Sequence, residues 1–139
     1  MNYKIIGKYI KNIVFNIPNP KTFFLLSKEI SNYKINIDIK SKQIKKNIIE
    51  IVISLNLTPV KENIEKIDTK ISYATIIELT SEKIENENLE KIILVDVPSQ
   101  VYTDLRRIFV KLFEDSGFKD VKINENVDFH KLYLTRKVQ

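Results

Sequence analysis

Cysteine and tryptophan are absent from this 139-residue chain, histidine occurs once, and glycine only twice. Without cysteine there can be no thiolate metal site, thiol nucleophile or disulfide, a usage that suits a reducing cytosol. The lone His130 has no Cys, second His or adjacent Ser with which to build a metal site or a catalytic triad, so a surface or hydrogen-bonding role is expected. Two glycines cannot supply a glycine-rich phosphate loop. Long apolar runs are missing too: none approaches the roughly 20 residues that cross a bilayer. Lys4, Lys8 and Lys11 break up the N-terminal apolar residues, so no export signal is expected. Glu62 and Glu65, and Glu85, Glu87 and Glu90, are scattered among lysines as solvated charges and form no acid/base pair. An enzyme is the least favoured class, and no cofactor or metal is expected.

What is present is apolar bulk and lysine. A hydrophobic content of 43% is enough for the core of one domain, taken as residues 1–139. The formal charge of +5 and pI near 9.3 raise the question of an anionic partner such as nucleic acid. Only Arg106, Arg107 and Arg136 could make bidentate phosphate or guanine contacts, however. The joint abundance of Ile, Lys and Asn is what an AT-biased coding sequence produces whatever the function. A solvated lysine surface is therefore the preferred reading, and no nucleic acid is expected.

Strand periodicity dominates the first half. Tyr9, Lys11, Ile13, Phe15 and Ile17 fall on one face, with Phe15 marking the buried side, and Ile10, Asn12, Val14 and Asn16 fall on the other, until Pro18-Asn19-Pro20 ends the strand. A crossover follows that contains four consecutive large apolar residues, Phe23, Phe24, Leu25 and Leu26. Alternation resumes at Ile35, Ile37 and Ile39 and continues through Ile49 to Leu57, which predicts one long strand kinked near Ser41 to Lys46. A third strand is predicted from about Ile67 to Leu79. A short helical turn near Glu85 to Leu89 then leads to a fourth strand, Ile92 to Val97. Val101, Tyr102, Leu105, Ile108, Phe109, Leu112 and Phe113 form one stripe at helical spacing, with Ser99 as predicted N-cap and Gly117 as C-terminal cap. A shorter helix follows, capped by Asp128 and carrying Phe129, Leu132 and Tyr133. The fold class is α+β: a four-stranded antiparallel sheet, a long amphipathic helix and a shorter C-terminal helix.

Several segments, in order, resemble the SecB protein-export chaperone family. That family's first strand typically reads Tyr-Val/Ile-Lys-Asp-Leu/Ile-Ser-Phe-Glu-x-Pro-Asn, and here Tyr9, Lys11, Phe15, Pro18 and Asn19 fit without a gap. At the start of the long helix Pro98 and Arg106 keep the family spacing and Tyr102 stands where the family has Phe. Gly117-Phe118, Asp128-Phe129 and Leu132-Tyr133 match as well, so the resemblance covers about Lys4 to Tyr133.

The resemblance implies a cytoplasmic, ATP-independent holdase that binds unfolded precursor polypeptides and keeps them competent for export. It implies peptide-binding residues Phe23, Phe24, Leu25, Leu26, Ile30, Tyr33, Phe129 and Tyr133. It also implies a homotetramer, a dimer of dimers, with Tyr9, Ile13, Phe15, Leu105, Ile108, Phe109 and Leu112 at the subunit contacts. In the family, acidic residues on the outward sheet face are associated with docking to the SecA motor; here those positions carry Asn12, Asn16 and Lys70, which weakens the expected docking. Thr103 replaces a family proline, and the proline-rich loop after the long helix has become Lys119 to Asn126. Two alternatives stay open: a SecB-like chaperone of a narrower client, such as an antitoxin, uncoupled from SecA, and a small basic nucleic-acid-binding domain.

Overall fold

A computed structural model describes residues 2–28, 33–59, 67–81, 83–118, 123 and 126–138. Four strands, β1 (Tyr3–Asn16), β2 (Tyr33–Lys45), β3 (Ile48–Pro59) and β4 (Asp68–Leu79), form one antiparallel sheet in the order β1-β4-β3-β2. A short helix, α1 (Pro20–Lys28), lies in the crossover between β1 and β2. It begins where Asn19 accepts the Thr22 backbone N–H at 2.9 Å, the N-cap geometry that the Pro-Asn-Pro sequence invites.

The sheet has four strands as expected, yet the strands are not the expected four. Ile35 to Leu57 is two strands joined by a tight turn at Lys46-Asn47, with Lys45 paired to Ile48. The turn contains neither glycine nor proline, and Gln43 Nε2 donates to the Lys46 carbonyl at 3.1 Å to brace it. The alternation continues through it, which is why the sequence reads as one kinked strand. Conversely, Ile92 to Val97 is helical. α2 (Asn86–Lys91), a π turn (Ile92–Asp96) and α3 (Val97–Asp115) follow one another without a break and make up a helix of 30 residues. A short run of apolar residues cannot by itself distinguish a buried strand from a buried helix. Ser99 is thus no N-cap: its hydroxyl donates back to the Val95 carbonyl at 2.6 Å within the helix. The π turn lies just before Pro98, whose ring would clash with the carbonyl four residues back in an unbroken α-helix, so the widened turn relieves that crowding.

Packing follows the helix stripe. Val97, Val101, Tyr102, Leu105, Phe109 and Phe113 are buried against Ile51, Ile53, Leu55, Ile71 and Ile77 on the inner face of the sheet. α3 ends as expected at Gly117, whose φ of +104° few other residues accept, and the Phe118 N–H returns to the Phe113 carbonyl at 3.1 Å. The last helix, α4 (Phe129–Val138), also starts as expected, with the Asp128 side chain accepting the Lys131 N–H at 2.9 Å. Arg106 Nε donates to the Ile123 carbonyl at 3.0 Å, which ties the connection between α3 and α4 back to the long helix.

Strand β1 departs from simple alternation. Bulges between Ile5 and Gly7 and between Ile10 and Asn12 each insert a residue, so parity reverses twice. Residues directly paired in an antiparallel sheet share a face. Ile13 pairs with Ile71 and Ile10 with Tyr73 on the helix-covered side, whereas Tyr9 pairs with Ala74, Asn12 with Ser72 and Val14 with Lys70 on the outward side. The expectation that Tyr9 shares a face with Ile13 and Phe15 is corrected accordingly. Phe15 itself is half-buried, edge-on to Phe113 with ring centroids 4.9 Å apart.

Candidate functional site

Among the described residues, one apolar and one polar concave surface stand out on this scaffold. The mainly apolar one is an open groove of about 230 Å³ between the β2 edge of the sheet and α4, lined by Ile37, Ile39, Leu94, Phe129, Leu132 and Tyr133, with Asp38 as its one charged residue among those described. β2 contributes because Ile37 and Ile39 point to the inner face at the rim, beyond the reach of α3. Leu94 comes from the π turn, so the irregular part of the long helix supplies one wall. Phe129 is buried edge-on against Tyr102, at 5.9 Å between ring centroids, and Tyr133 is buried beside it. Leu132 is 49% exposed at the mouth.

The residues expected from sequence to bind peptide therefore divide. Phe129 and Tyr133 belong to the groove, where they form a floor anchored in the subunit's own core. Phe23 packs on Phe118 at 4.7 Å and within 3.5 Å of where a side chain at Gly117 would sit, beside the far end of α3. Tyr102 and Phe113 mark those two ends, about 16 Å apart at the rise of an α-helix. Phe24, next to Phe23, is 60% exposed. Ile30 and the side chains of Leu25, Leu26 and Tyr33 lie outside the described residues. Sequence reading missed Ile37, Ile39, Leu94 and Leu132 as groove residues. Their apolar character was visible, but the wrong assignment of Ile92 to Val97 hid the wall they form.

The polar surface is the outward face of the sheet. Asn12, Asn16 and Lys70 do share it, through the pairs Asn12 with Ser72, Asn16 with Asp68 and Val14 with Lys70. At its centre Glu50 on β3 is covered by two side chains from β1: Lys11 Nζ approaches to 2.7 Å and the Tyr9 hydroxyl donates a second hydrogen bond. These bonds hold the Glu50 carboxyl below its ordinary value and push Lys11 and Tyr9 up. β4 lies between the two strands, so both side chains cross it near Ala74, which is fully buried on a face without a covering helix. Beneath them the Ser54 and Ser72 hydroxyls meet at 2.8 Å.

The residues expected at subunit contacts also divide. Leu105 and Phe109 are fully buried in the core of their own subunit. Tyr9 and Ile13 are 41% and 42% exposed on β1, an edge strand, where Ile6 and Ile10 are exposed as well. Ile108 and Leu112 are half-buried, and they continue, four residues at a time, the row begun by Asp104, which reaches Lys8 of β1 at 3.0 Å. A strip of apolar side chains thus runs along the β1 edge and the adjoining flank of α3.

Among the described residues no group of three or more His, Cys, Asp or Glu is placed to hold a metal, and no helix is long and apolar enough to cross a membrane.

This arrangement of sheet and long helix is shared with known proteins. The family model described as "Preprotein translocase subunit SecB" matches residues 1–139. The chain belongs to the SecB family. SecB proteins are non-enzymatic protein-export chaperones. A protein-export SecB of Pelagibacter ubique is 40% identical over 135 residues, which cover 97% of this chain and 96% of that one. The protein-export protein SecB of Anaplasma phagocytophilum is 25% identical over 94% of this chain and 89% of its own length. In fold, the chain is similar to a solved SecB-like chaperone of Mycobacterium tuberculosis in complex with an antitoxin peptide, with a TM-score of 0.63, 10% identity and coverage of 88% and 90% of the two chains.

Proposed function

We propose that this SecB-family chaperone works as an ATP-independent, cytoplasmic holdase, with the groove between β2 and α4 as its site for unfolded precursor polypeptides. The open apolar groove is the observation that carries this reading. Its floor, Phe129 and Tyr133, is fixed by the core, while its mouth is exposed at Leu132. A client side chain transferred from water into such a groove contributes roughly 1.5 to 3 kcal/mol gross. Ordering a flexible client costs a few kcal/mol, so several such contacts are needed at once. Phe24 in the crossover offers further exposed apolar surface.

Assembly multiplies weak sites. The exposed apolar strip formed by Ile6, Ile10 and Ile13 with Ile108 and Leu112 supports a homotetramer built as a dimer of dimers, joined through β1 and α3. Avidity for a long unfolded chain then rises without sequence specificity.

The test is binding of a permanently unfolded polypeptide, without nucleotide, followed by light scattering and competition. Leu132→Asp places a charge at the exposed mouth of the groove without touching the core, and it is expected to weaken client binding roughly tenfold or more with an unchanged circular dichroism spectrum. Undiminished binding by a folded Leu132→Asp protein would remove the groove from the mechanism.

A further inference from the structure

We propose that the outward face of the sheet is a docking site for an acidic, extended polypeptide segment of a partner protein. A trough of about 380 Å³ runs over this face, walled by Lys40 and Lys42 from β2 and by Lys70 from β4, with Lys11, Glu50 and Asp38 also lining it. Lys11 and Glu50 satisfy each other at 2.7 Å. Among the described residues that leaves Asp38 as the one remaining acid lining the trough, against three lysines that form no ion pair. The trough is therefore positively charged: Lys42 also faces Glu50 across the β2–β3 pair, and Lys40 and Lys70 stand beside it as further cations for carboxylates.

The register fixes the spacing of those cations. Lys40 and Lys42 point outward opposite Val52 and Glu50, and Lys70 points outward opposite Val14 and Asn56. Lys70 on β4 lies two strands, roughly 10 Å, across from β2, and four to six residues, roughly 14 to 20 Å, along the strands from the rows of Lys40 and Lys42, so the two groups of cations are about 17 to 23 Å apart. Between them the floor is Val52 and the paired hydroxyls of Ser54 and Ser72. An extended chain laid along this floor can place one acidic side chain against Lys40 and Lys42 and another against Lys70, and carry a neutral or basic residue past Asp38.

A nucleic acid fits less well. Its evenly spaced phosphates cannot avoid Asp38, and among the described residues the trough has no arginine for bidentate contacts and no aromatic ring as a stacking platform. The docking site meets the β2–α4 groove only at Asp38 and lies on the opposite face of the sheet, so it stands or falls independently of the client-binding reading.

The test uses the full chain in its native assembly and fluorescently labelled short peptides: one with Glu at alternate positions, one with Ser in their place and one with Lys, together with a single-stranded oligonucleotide. The acidic peptide is expected to bind at least roughly tenfold tighter than the Ser peptide and to weaken steeply from low to physiological salt. Combined K40E, K42E and K70E substitutions are expected to abolish that binding and create affinity for the Lys peptide, with client binding through the groove retained. Should the charge reversals impair folding, K40Q, K42Q and K70Q are expected to lower acidic-peptide affinity at least roughly tenfold. Equal binding of acidic and neutral peptides, acidic-peptide binding unchanged in the folded variants, or tighter binding of the oligonucleotide at this face would each overturn the proposal.

Discussion

Glu50 illustrates how one side chain can define a surface. It sits on a face of the sheet that no helix covers among the described residues, yet it is only 7% exposed because Tyr9 and Lys11 close over it from β1. Its carboxyl titrates below the ordinary value, so in acid the unfolded chain takes up a proton before the folded one does. The stabilising contribution is therefore present above about pH 4.5 and lost as pH falls through the depressed folded value. Lys11 and Tyr9 are shifted upward, so their contribution is present below about pH 10 and lost as pH rises further. Glu50→Gln is expected to flatten both ends of the stability–pH profile, measured by urea unfolding; the same acid slope in wild type and variant would refute the assignment. Gly117 is a second residue whose role comes from geometry. At φ +104°, where a side chain is strained even though the Phe23 ring leaves room for a Cβ, Gly117→Ala is expected to destabilise by about 1 to 2 kcal/mol without altering client affinity. Of these roles the cap at Gly117 was legible in the sequence; the Glu50 bridge was not, because it joins residues about forty positions apart across an intervening strand.

At the scale of elements, the long helix carries most of the organisation. Its apolar stripe faces β3 and β4, its π turn supplies Leu94 to the groove, and Arg106 holds the segment after it. Arg106→Ala is expected to cost on the order of 1 kcal/mol by removing the donor to the Ile123 carbonyl, read as a lower midpoint in urea. It should also weaken client binding if α4 loosens, since α4 reaches α3 through that segment. The stripe from Val101 to Phe113 was readable because a period of 3.6 residues over many turns is unambiguous. Ile92 to Val97 was not, because five or six apolar residues satisfy strand and helix alike, and only continuity with α2 and α3 decides between them. The β2–β3 turn escaped for a related reason. Lys46-Asn47 carries no glycine or proline, and the alternation on either side of it runs on in phase.

For the whole molecule, the deciding feature is which apolar surface remains after the subunit has folded. Leu105 and Phe109 are fully buried, so Phe109→Asp is expected to unfold the subunit and would not yield a folded, dissociated protein. Ile10→Lys, on the exposed β1 edge, is instead expected to give folded subunits of lower mass. Light scattering separates the outcomes: the wild type is expected near four times 16.4 kDa, and a variant that keeps the full assembly mass would exclude β1 from the contact. The sequence by itself determined the α+β class, the family and the helix caps at Gly117 and Asp128, because each is written in local periodicity, turn chemistry or ordered motifs. Only the tertiary structure decided which apolar residues remain accessible and which charges converge. Accessibility depends on what covers a residue, and two bulges in β1, a π turn before Pro98 and an edge strand beyond the reach of α3 together set that cover.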